Sequence, residues 1–180
     1  MLAAILTIIG TMVLTSYTSY DAPVVPTDEV EAQLQRMTLR EKVGQLFFVR
    51  REYLDTTIHY DQVSSVDSSA VDIREIKLQS VNATMLSVNE KYPVGGIILY
   101  AHNIEDEAQL AAFISQIRVL NGSPLLCIDE EGGRVARISN NPNFQVAKFD
   151  SISAIGATGD PLNAYHCGNT IGTYLKKYGF

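Results

Sequence analysis

Three short apolar runs constrain this chain more than any other feature: LFFVR at 46–50, VGGIILY at 94–100 and PLLCID at 124–129. None shows the polar alternation of a half-solvated strand, so each reads as a strand buried on both faces. The stretches between them are periodic instead. From Asp72 the residues Ile73, Ile76, Val81, Met85 and Val88 return near a helical interval, predicting about five turns of helix. Leu110, Phe113, Ile114, Ile117 and Leu120 form a second stripe. Strands that alternate with long helices make a parallel sheet, because two parallel strands can be joined only by a crossover. Either a doubly wound sheet or a barrel satisfies that pattern.

The punctuation fits the same rhythm. Val30, Leu34 and Met37 mark a helix, and Thr38 with Glu41 forms a T-x-x-E capping box at the next one. Residues 51–71 are polar and aperiodic, predicting a long loop after the first strand. Tyr92-Pro93 stops the second helix before Gly95 and Gly96, which allow close backbone approach. Asn103 is a candidate cap for a helix whose first turn holds Glu105, Asp106 and Glu107, with Asn121-Gly122 at its close. A final helix is predicted in PLNAYHCGNTIGTYLKKYGF, with Lys176 and Lys177 in its last turn and Gly179 as terminator.

The chain opens on MLAAILTIIGTMVL, fourteen uncharged residues, shorter than the ~20 that span a bilayer. Residues 1–22 read as a signal peptide or membrane anchor, a route to export and membrane association, ahead of a domain at 23–180. A buried N-terminal helix is the other reading, since no Lys or Arg precedes the run. With 20 acidic against 14 basic residues and a net charge of -6, the chain is a poor partner for nucleic acid. Cys127 and Cys167 lie too far apart in sequence for a C-x-x-C motif, and His59, His102 and His166 are scattered. No metal and no cofactor is expected from such spacing, and the histidines read as packed or solvated side chains.

The run LCIDEEGG at 126–133 passes abruptly from apolar residues to three acids and two glycines. Asp129 stands at the carboxyl end of the third strand, where parallel α/β folds place their ligands. A carboxylate there can accept hydrogen bonds from adjacent hydroxyls of a sugar ring. Arg134 and Arg137 are three apart and would share one face if the turn after the glycines is helical. Residue chemistry leaves two readings open: a ligand-gripping corner, or an acidic turn neutralised by the two arginines.

TLREKVGQLFFVR, YPVGGIILYAHNI and IDEEGGRVARI, in this order and spacing, resemble the N-terminal part of glycoside hydrolase family 3. They are most similar to its β-N-acetylhexosaminidase branch, over about residues 30–180. The resemblance implies an α/β fold, the N-terminal part of a (β/α)8 TIM barrel that is incomplete in this chain. It implies an enzyme releasing terminal β-linked N-acetylglucosamine from cell-wall-type saccharides through a covalent intermediate, and together with the apolar run at 1–14 the expectation is an exported bacterial protein. Matched to the family motif, Asp129 and Arg137 become substrate contacts for the nonreducing sugar and Arg134 a weaker one. Glu130 and Glu131 inherit loop geometry or internal salt bridges. The family's nucleophilic Asp and its acid/base His-Asp pair have no match here and are expected beyond Phe180. A closed barrel needs ~250 residues, which points the same way. A β-glucosidase-type hydrolase and a noncatalytic carbohydrate-binding truncated barrel are the alternatives.

Overall fold

A computed structural model of the chain describes residues 27–58 and 78–180. The apolar run at 1–14 lies outside them, and so does the first part of the helix expected from Asp72. Thr27–Arg36 forms a helix, α1, in a compact unit separate from Thr38–Phe180. Its first turn holds Asp28 and Glu29 and its last Arg36, the charge order that a helix dipole favours.

The second unit begins with α2, Leu39–Gly44, and the capping box is present as expected. The Thr38 hydroxyl accepts from the Glu41 amide at 3.3 Å, and the Glu41 carboxylate accepts from the Thr38 amide at 2.7 Å. Thr38→Ala is expected to cost about 1 kcal/mol, measured by urea denaturation of the whole protein.

Three parallel strands follow: β1 (Phe48–Arg50), β2 (Gly96–Leu99) and β3 (Leu125–Ile128). They pair in the order β1-β2-β3, with Arg50 beside Ile98 and Leu99 beside Ile128. The central strand is the buried one, with Ile97 and Leu99 fully covered. Glycine is required where the backbones meet. A Cβ on Gly95 would fall 2.4 Å from the Gln45 carbonyl oxygen, and one on Gly96 2.2 Å from the Phe48 ring. The register places the ends of all three strands side by side, with Arg50, Tyr100 and Asp129 at or just past them.

The helix before β2 is shorter than its periodicity suggests. Helix α3 spans Ala83–Lys91 and is capped by Asn82, which accepts from the Met85 amide at 2.8 Å. The described residues ahead of it are irregular because other elements claim their backbone groups. The carbonyls of Gln79 and Ser80 accept from Gln109 and Arg51, and the Val81 amide donates to Gln116. Helix α4, Glu107–Arg118, is capped by Asp106 rather than by Asn103. Its whole predicted stripe, Leu110 to Leu120, is buried. The helix ends before Asn121-Gly122, and Gly122 takes a positive φ of 85° in the turn that follows.

A short helix that periodicity did not reveal, α5 at Ile152–Ala157, is capped by the Ser151 hydroxyl. Helix α6, Pro161–Tyr178, matches its prediction at both ends, with Asp160 as cap and Gly179 left-handed at φ 102°. Cys167, Ile171, Tyr174 and Tyr178 of α6 join the core, where Phe144 meets Tyr178 edge-on at 5.2 Å. Cys167 is buried and Cys127 is half-buried. Among the described residues, no helix is long and apolar enough to cross a membrane.

Candidate functional site

Just past the end of β3, two adjacent acids meet opposite fates. Glu130 is buried and Asp129 keeps 44% of its side chain exposed. The Glu130 carboxylate accepts from the backbone amides of Arg137, Ile138 and Ser139, the last two at 2.9 Å, and from the Tyr174 hydroxyl at 2.8 Å. One side chain thereby ties the returning loop to α6. Burial, then the bond to Glu130, pushes the Tyr174 hydroxyl well above its ordinary pKa. Loop geometry is therefore the task of Glu130.

The turn itself is closed by the Glu131 amide donating to the Val135 carbonyl at 2.8 Å. Gly132 and Gly133 take φ of 87° and 65°, a region that side-chain-bearing residues rarely adopt. It is a tight turn, so Arg134 and Arg137 do not share a helical face. Arg134 is exposed, and its carbonyl accepts from Asn140. Arg137 returns to place Nη2 3.3 Å from Asp129 Oδ2. The loop thus brings Asp129 and Arg137 together and leaves Arg134 at the rim.

The neighbouring strand ends add groups that sequence reading passed over. Glu52, within the stretch read as a polar loop, lies in a turn at Arg51–Leu54 and is fully buried. It accepts from His102 and, at 3.1 Å, from Asn103, and pairs with Arg50 Nε at 3.4 Å. His102 is thus a packed histidine, and Asn103 serves Glu52 and the Leu78 carbonyl rather than capping α4. Burial alone would raise the Glu52 pKa, but the hydrogen bonds from His102, its own backbone and Asn103 prevail and hold it at about 2. A carboxyl depressed from its ordinary 4.5 contributes stability above that value and loses it as pH falls toward about 2. Denaturation midpoints should therefore drop across this window, and Glu52→Gln should shrink the drop.

A second buried pair fixes the chain around Glu52. Arg51 and Asp55 are 2% and 3% exposed and meet at 2.8 Å. Asp55 also accepts from the Thr57 hydroxyl at 2.6 Å and from Asn82. Burial opposes the charge, yet these bonds hold the Asp55 carboxyl well below the usual carboxylate range. Beside Arg137 opens a cleft of about 530 Å³ lined by Gln79, His102, Glu105, Asn140 and Asn141. Amides, hydroxyl-accepting oxygens and one guanidinium suit a neutral, polyhydroxylated ligand better than an anionic polymer.

Residues 38–180 match the family model for the glycosyl hydrolase family 3 N terminal domain. The chain belongs to glycosyl hydrolase family 3. The match begins at Thr38, the residue that caps α2. Relatives named beta-hexosaminidases are among those it is similar to. A beta-hexosaminidase from Pseudomonas aeruginosa is 36% identical over 90 residues, covering 48% of this chain and 25% of that protein. One from Thiobacillus denitrificans is 53% identical over 45 residues, 24% of this chain and 12% of that one. A solved family 3 β-N-acetylglucosaminidase from Paenibacillus sp. superposes with a TM-score of 0.58 at 25% identity, covering 80% of this chain and 23% of its own. The chain thus spans about a quarter of the length of such family 3 relatives.

Proposed function

We propose that the whole protein is a retaining β-N-acetylhexosaminidase releasing terminal N-acetylglucosamine from cell-wall-type saccharides, and that Asp129 and Arg137 hold the nonreducing sugar. The observation that carries this is the pairing of a half-exposed Asp129 with Arg137 at 3.3 Å, beyond the end of a parallel strand. A carboxylate neutralised by a guanidinium is suited to accept from ring hydroxyls, while Arg137 can donate to the same oxygens. Arg134 adds positive charge at the rim. The names of the family 3 relatives support the reaction class and the sugar.

In this reading the three strands are the first of a (β/α)8 barrel. The family 3 match and the parallel, sequential order of the strands support it. So does the exposure of Phe48 at 50% and Leu125 at 66% on the outer strands, which suits a sheet that continues on both sides. The nucleophile and acid/base catalyst that retaining hydrolysis demands would then come from other strand ends. The apolar run at 1–14 supports export, which N-terminal sequencing of secreted protein would test.

The deciding assay compares chromophore release from an N-acetylglucosaminide and a glucoside by the whole protein. Preference for the first is expected, and preference for the second would make it a β-glucosidase. Asp129→Ala should lose about 1.5 to 3 kcal/mol of binding, roughly tenfold to a hundredfold in kcat/KM, with an unchanged melting temperature. Unaltered kcat/KM would remove Asp129 from the site.

A further inference from the structure

Asp129 and Arg137 are joined by one hydrogen bond of 3.3 Å, and the buried Nε of Arg137 has no hydrogen-bond partner among the described residues. The hydrogen bond to Asp129 is therefore a single anchor for this guanidinium on its long side chain. Yet its central carbon lies 5.7 Å from the centre of the Tyr100 ring. Tyr100 directly follows β2, beside the strand that presents Asp129. We propose that Tyr100 is a positioning residue: its ring face orients the Arg137 guanidinium so that the sugar-gripping pair is preformed. The inference rests on the sugar-binding role proposed for Asp129 and Arg137.

The physical case is that a guanidinium attracted to a ring face keeps its edge donors available, so Arg137 can be held by Tyr100 and still bond Asp129 and a ligand. Tyr100 itself has further partners. Its backbone amide donates to Asn103 Oδ1 at 2.8 Å, and its ring lies parallel to that of His102, at 4° and 6.0 Å. The Arg50 guanidinium lies 4.8 Å from the same ring. His102 and Arg50 are both anchored on the buried Glu52. Two cations around one ring repel each other, and Glu52 and Asp129 supply the two negative charges that offset them. A chain of contacts thus runs from the end of β1 through Tyr100 to Asp129, across all three strands.

A double-mutant cycle in the whole protein tests this with N-acetylglucosaminide turnover. Tyr100→Leu should raise KM roughly threefold to tenfold, the range of one partly desolvated cation–ring contact, with kcat less affected. In an Arg137→Ala background the same substitution should change KM by less than about twofold, because the group it positions is gone. Tyr100→Phe, which keeps the ring face, should restore most of the coupling. Equal losses from Tyr100→Leu in both backgrounds would overturn the inference, since a residue that only supports the fold acts regardless of Arg137. So would failure of Tyr100→Phe to recover. If Tyr100→Leu does not fold, the cycle is run with Tyr100→His, whose smaller ring weakens the contact, and additivity with Arg137→Ala again refutes the inference. An unaltered kcat/KM for Asp129→Ala would instead refute the underlying sugar-binding role.

Discussion

Glu130→Ala is expected to destabilise the protein by about 3 to 5 kcal/mol, because a buried hydrogen bond that loses one partner costs about 1 to 3 kcal/mol for each group left unsatisfied. Three backbone amides and the Tyr174 hydroxyl converge on this carboxylate. Ile138 and Ser139 are 0% and 2% exposed, so water reaches their amides only if the loop opens. Against a typical stability of about 5 to 15 kcal/mol, such a loss is visible directly in urea denaturation. Activity should fall further than stability does, since the same loop carries Arg137 to Asp129. Glu130→Gln retains one acceptor oxygen and turns donors toward donors at the other position, so an intermediate loss is expected. A change below about 1 kcal/mol for Glu130→Ala would show that the glycine turn and its Glu131–Val135 bond hold the loop alone.

Arg51→Met is the second large effect, expected at about 3 to 5 kcal/mol because it strands a buried carboxylate. Arg51 binds both Asp55 and the Ser80 carbonyl at 2.8 Å, so its loss unties two segments at once. Adding Asp55→Asn should recover much of the stability, since removing both charges is far cheaper than removing one. The pH dependence supplies a check with a definite sign. The Asp55 carboxyl sits well below its ordinary value, so its favourable contribution is complete above that value and fades as pH falls. The gap between wild type and Arg51→Met should therefore be widest near neutrality and narrow in acid. A gap that stayed constant with pH would mean that Arg51 acts through packing rather than charge.

The three strands, the buried stripe of α4, the capping box of α2 and both ends of α6 were legible in the sequence, because each rests on local spacing. Helix α5 escaped notice because ISAIGA is too short to show a stripe; only its Ser151 cap marks it. Asn103 looked like a helix cap, and the error has a physical source: its amide finds better partners in Glu52 and Leu78, residues remote in sequence. The corner at 126–133 was recognisable from its charges, and the loop then separated roles that the sequence presents as equivalent. Arg134 and Arg137 read alike as neighbours of an acidic turn, but only Arg137 returns to Asp129.

By itself the sequence determined the class of fold and which acid stands at the end of the third strand, since hydrophobic period and strand-end position are properties of neighbouring residues. Only the tertiary structure decided which arginine pairs with Asp129, that Glu130 locks the loop, and that Glu52, His102 and Tyr100 gather behind them. Those contacts join residues tens of positions apart, brought together when parallel strands align their ends, and no local pattern encodes such a meeting.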